Sequence, residues 1–190
     1  MNLFYEEYPK VLEIHGEYVP IITDFREYIR LLDMLKCKDL TDVKKVMILQ
    51  DYFLADISVD PEALRALTDF VTMEMKDEKA EQDSDSEEPE EPGQKNLFSY
   101  EIDYPFILSG FLRDYGIDLE TVDYLHWWKF RMLFDGLSED TEIKQRIMYR
   151  GIDLSDIKDK DERKRIAKIQ RRIQLPAEVL SDYDIGDAFA

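Results

Sequence analysis

A run of acidic residues near the middle of the chain constrains the fold more than any other feature. From Asp77 to Pro92 (DEKAEQDSDSEEPEEP) there are nine acids, one lysine and two prolines, and the single apolar residue is Ala80. Such a segment cannot bury enough apolar surface to offset the entropy that is lost when a chain is ordered. We therefore predict an acidic, disordered linker over residues 77–96, which separates an N-terminal part from a C-terminal part.

The two parts on either side of this linker are small. The chain has 190 residues, a length that suits one domain with one hydrophobic core. We expect residues 1–76 to form a hairpin with three helices, and residues 97–175 to form a helical part that shares the same core. Residues 176–190 are predicted to be a loose tail.

The stretch VLEIHGEYVPI, residues 11–21, predicts a β-hairpin. β-forming residues lie on both sides of His15 and Gly16, and glycine accepts the backbone conformations that a tight turn requires. Pro20 places the second strand at a sheet edge, because proline donates no backbone hydrogen bond. His15 is therefore expected to be a turn residue without a functional role.

Three helices are predicted after the hairpin. Each begins at residues that favour a helix N-terminus. In chain order these residues are Asp24 with Glu27, Thr41, and Asp60 with Pro61. Apolar residues follow each start at helical spacing, and those that the second helix is expected to carry are Val43, Val46, Met47 and Leu54.

Further helices are predicted in residues 97–175. The first is expected to be capped by Asp103, with Pro105 in its first turn, and to end at Gly116. The next two helices carry apolar stripes, listed here as Val122, Leu125, Trp128 and Met132 for one, and Ile143, Ile147 and Met148 after a Ser138 cap for the other. The last covers DKDERKRIAKIQRRIQL, with acids leading and cations trailing as the helix dipole favours.

The word GIDL occurs twice, at residues 116–119 and 151–154. Each copy follows a predicted helix end and precedes a new helical pattern. We interpret the word as a helix boundary, in which glycine ends one helix and Asp118 or Asp153 caps the next. The fold class is therefore mostly α: a small N-terminal β-hairpin followed by a helical domain of about six to seven helices, interrupted by an acidic disordered loop.

The segment YLHWWKFRMLF, residues 124–134, contains both tryptophans of the chain. Trp127 and Trp128 point about 100° apart on a helix, so we expect one of them to fill the core. The other either joins the core or anchors a partner together with the cations Lys129 and Arg131, since tryptophan is frequent at binding hot spots. His126 is expected to lie at the surface or rim.

The basic last helix has two interpretations. Residues 158–172 carry eight cations and three acids. The first interpretation is a solvated face held by salt bridges. The second is an electrostatic contact with an acidic partner or with the chain's own acidic linker. In the second case the candidate partner-binding residues are Arg163, Arg165, Lys168 and Arg172.

No catalytic motif appears in the sequence. The chain lacks G-x-S-x-G, the phosphate-binding glycine loops and H-E-x-x-H, and its one cysteine, Cys37, has no second cysteine with which to bind zinc. We therefore expect no enzyme, no metal and no cofactor. The net charge of −18 argues against binding to nucleic acid or to an anionic membrane, and the missing signal sequence favours the cytoplasm.

Several words of the sequence together resemble a known family. They are HWWKF at 126–130, GLSEDT at 136–141, YRGIDL at 149–154, and the N-terminal TDFREY at 23–28. With the acidic insert and YGIDL before the tryptophans, they resemble the gene-product-fifteen family of tailed phages and prophages of Gram-positive bacteria. The resemblance spans nearly the whole chain, and HWWKF with the junction that follows it is the most specific part.

The resemblance implies a role in tail assembly. Genes of this family typically lie between those of the major tail protein and the tape measure protein, where tail assembly chaperones are encoded. We therefore expect a non-enzymatic chaperone in the host bacterial cytoplasm that binds the tape measure protein and is absent from the mature virion. The major tail protein and a second copy of the chain are further expected partners.

Two other functions stay open. One is a structural tail or neck component that is retained in the virion. The other is an acidic protein that mimics DNA and inhibits a host nuclease, which the net charge of −18 motivates. Much of that charge lies in one linker, whereas a DNA mimic needs charge spread along a duplex-like surface.

Overall fold

The computed structural model describes residues 3–37, 39–74 and 97–176. A two-stranded hairpin is followed by seven helices in this part of the chain, which confirms the predicted fold class. The elements are β1 (Val11–Ile14), β2 (Glu17–Pro20), α1 (Phe25–Leu35), α2 (Asp42–Gln50), α3 (Pro61–Thr72), α4 (Tyr100–Tyr115), α5 (Trp127–Asp135), α6 (Glu142–Gly151) and α7 (Lys160–Ile173). The predicted acidic linker, and the predicted tail beyond residue 176, lie outside the described residues.

The chain forms two compact units. Among the described residues, we call them the hairpin unit (residues 3–74 and Tyr124–Phe130) and the C-terminal unit (residues 97–123 and 131–176). The HWWKF word thus belongs to the hairpin unit although it follows the acidic run in sequence. The remainder of α5 belongs to the C-terminal unit. The common core that we predicted for the two parts stays a prediction.

The hairpin forms where the sequence predicts it. β1 and β2 pair antiparallel, with Leu12 opposite Val19. His15 and Gly16 form the turn with φ of 53° and 75°. Positive φ at both central residues is the geometry whose twist matches paired strands. The buried side chains of Leu12, Ile14 and Val19 alternate with exposed residues, so one face of the hairpin contributes to the core.

Helices α1 and α3 begin at their predicted caps. The Asp24 side chain accepts a hydrogen bond from the Arg26 amide, and the Asp60 side chain accepts one from the Ala63 amide. Pro61 occupies the first helical position of α3, where its missing N–H costs nothing. Each helix buries one apolar stripe, and that of α3 comprises Ala63, Leu67, Phe70 and Val71.

The four apolar residues assigned to the second helix are exposed, and one of them lies outside α2. Val43 and Met47 are 71% and 65% exposed, Val46 is exposed as well, and Leu54 lies beyond the helix and is also exposed. Leu49 is the buried residue of α2, and the neighbouring Tyr52 and Phe53 are buried after it. Helical spacing correctly gives three apolar residues on one side of α2, but spacing alone does not say that a partner element covers that side.

Two predicted caps in the C-terminal unit are wrong. Ser99, rather than Asp103, caps α4, so Pro105 lies inside the helix and Asp103 is buried. Thr141, rather than Ser138, caps α6. Gly116 does end α4 in the left-handed conformation, with φ of 65°, as predicted. Ile143 of α6 is buried, but Met148 is exposed, because only part of the predicted stripe meets other elements.

Both GIDL words form turns and not helix starts. Asp118 accepts from the Glu120 amide and Asp153 accepts from the Ser155 amide, which is the same local geometry at 3.0 and 2.8 Å. Helix α5 therefore begins at Trp127 and not near Val122, and α7 begins after an Asp159 cap. An aspartate side chain can satisfy a turn as well as a helix end, so the residue type alone did not decide between them.

Candidate functional site

Both tryptophans are buried in the hairpin unit. Trp127 is 0% exposed and its indole N–H donates to the Val71 carbonyl at 3.0 Å. Trp128 is also buried and its indole N–H donates to the Phe70 carbonyl at 2.8 Å. These two carbonyls lie in the last turn of α3, where backbone acceptors lack partners within the helix. The indoles thus cap α3, and neither presents a surface to a partner in this structure.

His126 is buried, which corrects the prediction of a surface or rim histidine. Its Nδ1 accepts from the Trp128 amide at 3.1 Å, and its Nε2 donates to the Pro9 carbonyl at 2.9 Å. The ring also stacks on Tyr8 with 4.8 Å between the ring centroids. One nitrogen must accept while the other donates, so this arrangement requires the neutral imidazole. Burial lowers the pKa of His126, which agrees with that requirement.

An aromatic cluster extends from the tryptophans. Trp127 stacks with Tyr28 and with Phe130, at centroid distances of 5.5 and 5.8 Å, and Phe130 stacks on Phe25 at 4.8 Å. The Trp127 amide donates to the Thr23 carbonyl. The HWWKF word is therefore the centre of the hairpin unit's core. Of its candidate partner-binding cations, Lys129 is exposed and Arg131, in the C-terminal unit, is half-buried.

His15 joins the hairpin turn to the N-terminus of α3. Its Nε2 lies 2.6 Å from Asp60 and its Nδ1 lies 3.0 Å from Glu62. The His15 amide donates to the same Glu62 side chain at 2.6 Å. The hydrogen bond to Asp60, with the charges of both acids, raises the pKa of His15. The residue thus has a structural contact that its position in a turn did not reveal.

A buried ion pair organises the C-terminal unit, and the sequence interpretation missed it. Asp103 of α4 accepts two hydrogen bonds from the Arg150 guanidinium of α6, at 2.6 and 2.9 Å. Arg150 also donates to the carbonyls of Leu97 and Ile173, and Asp103 accepts from the Ser99 amide. The pair is satisfied from every side, as a buried charge requires. A sequence signal existed: Asp103 and the apolar Ile107 are four residues apart, so they lie on the same side of α4.

The GLSEDT word closes onto the end of α4. The Ser138 amide donates to Asp114 at 2.7 Å, and Arg113 donates to the Asp140 side chain at 2.8 Å. The hydrogen bond from Ser138, with the neighbouring Arg113, holds the pKa of Asp114 below its usual range. Leu137 packs over Gly110, where an added Cβ would lie 3.2 Å from the leucine side chain. This word therefore has a structural role within the C-terminal unit.

The predicted basic surface lies on α7. The side chains of Arg163, Arg165, Lys168 and Arg172 are all exposed. Arg163 donates to the Ile157 carbonyl, and Arg165 lies 3.8 Å from Glu162. Beside this surface, α6 and α7 enclose a groove of about 340 Å³. The groove is lined by Glu142, Gln145, Arg146, Tyr149, Ile169, Arg172 and Ile173.

A second candidate surface is the exposed apolar side of α2. Val43, Val46 and Met47 follow one another at spacings of three and one residues, which places them on one side of the helix. Lys44 is exposed beside them. This apolar side, which we call the α2 face, lies in the hairpin unit. The described residues contain no group of three or more His, Cys, Asp or Glu side chains that could hold a metal ion.

Comparison with known proteins gives the family. The sequence profile of the bacteriophage Gp15 protein matches residues 4–175. The chain belongs to this family. No curated protein and no solved structure matches the chain. The family assignment therefore establishes a phage protein, and it confirms the resemblance that the HWWKF, GLSEDT and YRGIDL words indicated.

Family membership changes how the two signature words are understood. HWWKF and GLSEDT both lie within the range that the Gp15 profile matches. In the structure HWWKF lies in the core of the hairpin unit, through the Trp127 and Trp128 hydrogen bonds, and GLSEDT contacts the end of α4 through the Asp114–Ser138 hydrogen bond. The most recognisable residues of this Gp15 family member are thus structural, and candidate contact surfaces lie elsewhere, on α2 and α7. In the part of the chain that the structure describes, no helix is long and apolar enough to cross a membrane.

Proposed function

We propose that the chain is a non-enzymatic tail assembly chaperone that binds the phage tape measure protein. The α2 face carries the proposal, because it offers an apolar strip of helix to a client. Val43 and Met47 are more than half exposed, although their spacing is that of residues that normally pack against another element. An exposed apolar helix side of this kind is suited to pair with the apolar side of another helix.

The family resemblance implies a gene next to that of the tape measure protein, which makes this protein the expected client. A tape measure protein is long, helical and apolar. Such a client needs its apolar surface covered while the tail tube forms around it. The proposed binding is therefore helix against helix, with Val43, Val46 and Met47 covering part of the client's apolar side. The net charge of −18 would keep the complex soluble. In this proposal the chain acts in the host cytoplasm and leaves before the virion is complete.

Co-expression tests the proposal. The chain is produced with the tape measure protein of its own phage, and the soluble fraction is analysed by size exclusion with light scattering. We expect one joint peak with several copies of the chain per tape measure protein. The double variant Val43→Ser/Met47→Ser should lose the joint peak. The control Leu112→Ser removes an exposed leucine from α4 and should keep it.

Two results would overturn the proposal. If the wild-type chain elutes alone while the tape measure protein stays insoluble, the chaperone function is wrong, and a structural tail or neck component becomes the better explanation. If the joint peak forms equally with the Val43→Ser/Met47→Ser variant, the α2 face is not the client surface. Circular dichroism of each variant checks that the helices are retained.

A further inference from the structure

The groove between α6 and α7 combines an apolar floor with charged side chains, which are those of Arg146, Arg172 and Glu142. Ile169, Ile173 and Tyr149 are half-buried and provide the apolar part. Arg172 lies at the rim and is exposed. Its neighbour in the groove, Arg146, is already held by Glu142 at 2.9 Å and lies over the Phe106 ring at 3.7 Å. The groove thus has one engaged arginine and one that extends towards solvent.

A stripe of cations runs along α7 beside this groove. Arg165, Lys168 and Arg172 are spaced by three and four residues, so they fall within about 60° on one side of the helix. The stripe rises about 10 Å along the axis, at 1.5 Å per residue. Among the described residues, Arg165 has one long contact to Glu162, at 3.8 Å, and Lys168 and Arg172 form no salt bridge.

We propose that this groove binds an acidic amphipathic helix of a partner protein. Carboxylates spaced by three or four residues on that helix would pair with Arg165, Lys168 and Arg172. Apolar side chains on the adjacent side of the same helix would fill the floor at Ile169 and Ile173. The cationic stripe and the apolar floor run side by side along α7, which is the arrangement that one amphipathic helix matches.

A nucleic acid fits this surface less well. Phosphate backbones are recognised by extended positive surfaces, and this chain carries a net charge of −18 with one basic stripe. The half-buried isoleucines would gain nothing from a phosphodiester chain. The arginine fork pairs with carboxylates and phosphates alike, so the apolar floor decides between them: an amphipathic helix adds burial of its apolar side to the charge pairing. The inference is independent of the proposed function, because it concerns the C-terminal unit and not the α2 face.

Two adjacent arginines give a matched pair of variants. Arg171 and Arg172 are both exposed in the last turn of α7 and project about 100° apart. Arg172 lines the groove, whereas Arg171 is not among the residues that enclose it. Arg172→Glu and Arg171→Glu therefore make the same change of charge at neighbouring positions, one in the proposed site and one beside it.

The experiment is a fluorescence anisotropy titration of the purified full-length chain with a labelled synthetic helix. The probe has glutamates in the spacing of the stripe and leucines on the adjacent side. A first control peptide has the glutamates replaced by glutamine, and a second has the leucines replaced by serine. We expect saturable binding of the probe, a loss of at least about tenfold in affinity for Arg172→Glu, and a change within about twofold for Arg171→Glu. Both control peptides should bind at least about tenfold more weakly.

Three results would overturn the inference. No binding of the probe to the wild-type chain removes it directly. Equal losses of affinity for Arg171→Glu and Arg172→Glu would mean that the general charge of the surface, and not the groove, causes the binding of the probe. Full binding of the leucine-free peptide would mean the same. None of these results uses the tape measure protein, so they leave the proposed function untouched.

Discussion

At the scale of the residue, the pair Asp103–Arg150 is the contact whose loss should matter most. Asp103→Asn removes one charge and leaves the Arg150 guanidinium buried without its counter-ion. Breaking a buried pair in this way costs about 3–5 kcal/mol of unfolding free energy. Urea denaturation monitored by circular dichroism measures the loss.

The control for this prediction is Asp140→Asn. Asp140 also pairs with an arginine, Arg113 at 2.8 Å, but its side chain is 82% exposed. An exposed ion pair contributes about 0–1 kcal/mol, so this variant should remain close to the wild type. If the two variants lose the same free energy, the buried network does not stabilise the C-terminal unit as its geometry indicates.

Because the buried imidazole of His126 is neutral, we predict that the protein loses stability in mild acid. Its pKa is lowered in the folded chain, chiefly by burial, so the unfolded chain binds a proton first as the pH falls. The stabilisation is complete above the unfolded pKa of about 6.5 and is lost as the pH falls through the folded pKa. His126→Asn keeps a hydrogen-bond acceptor for the start of α5 and removes the titration.

The measurement compares the free energy of unfolding of the wild type and His126→Asn between about pH 8 and pH 5, the range that brackets the unfolded pKa of histidine. We expect the wild type to lose more stability than the variant on acidification. The neighbouring charge is Lys10, which also lowers the pKa of His126, and the hydrogen bond to Pro9 opposes both effects. Parallel curves for the two proteins would contradict the neutral hydrogen-bonded ring.

For His15 we predict the opposite dependence of folding stability on pH. Its pKa is raised, first by the hydrogen bond to Asp60. The stabilisation is therefore complete below the unfolded pKa and is lost as the pH rises through the folded pKa. His15→Asn preserves a turn that accepts positive φ, because Asn-Gly is a favoured hairpin pair. The difference between wild type and variant should shrink from about pH 5.5 to pH 8.5, and a constant difference would contradict the contact with Asp60 and Glu62.

At the scale of the element, α2 shows the limit of periodicity. The spacing of Val43, Val46 and Met47 places them on one side of the helix, but the structure exposes that side and buries Leu49. A single substitution of serine for Val43 or Met47 should therefore change the unfolding free energy by about 0.5 kcal/mol or less. Leu49→Ala should cost about 2–5 kcal/mol. Thermal or urea denaturation of the three variants gives the comparison, and a large loss at Val43 or Met47 would mean that the α2 face is covered.

Helix starts and stops were predicted well where local chemistry decides them. Asp24, Asp60 and Gly116 act as predicted, because a cap or a left-handed stop depends on a few neighbouring atoms. Asp118 and Asp153 were assigned to helix caps but form turns. An aspartate side chain makes a similar hydrogen bond to a nearby amide in a helix cap and in a turn. The packing of the residues that follow therefore decides whether a helix forms.

At the scale of the whole molecule, the proposed function makes a prediction about the virion. A chaperone that leaves during assembly should be missing from purified particles, whereas a tail or neck component should be present at a fixed copy number. Quantitative mass spectrometry of particles purified by density gradient separates the two, with the tape measure protein as the internal standard. Detection of the chain at or above the copy number of the tape measure protein would favour the structural component.

The sequence by itself determined the mostly α class, the hairpin turn at His15 and Gly16, and the family, which rests on words such as HWWKF. These depend on short-range spacing and on residue types that few backbone conformations accept. It also showed that the tryptophans belong to an unusually apolar segment. It did not show that both are buried, because that depends on Phe70 and Val71, more than fifty residues away in the sequence.

Only the tertiary structure decided which apolar sides are covered and which charges are paired. Asp103 pairs with Arg150, forty-seven residues later in the sequence. The indoles of Trp127 and Trp128 donate hydrogen bonds to the end of α3. The α2 face, with equally regular spacing, meets nothing among the described residues that buries it. The physical reason is that periodicity fixes the direction of a side chain relative to its own helix, whereas burial and ion pairing depend on the elements that the rest of the chain places opposite.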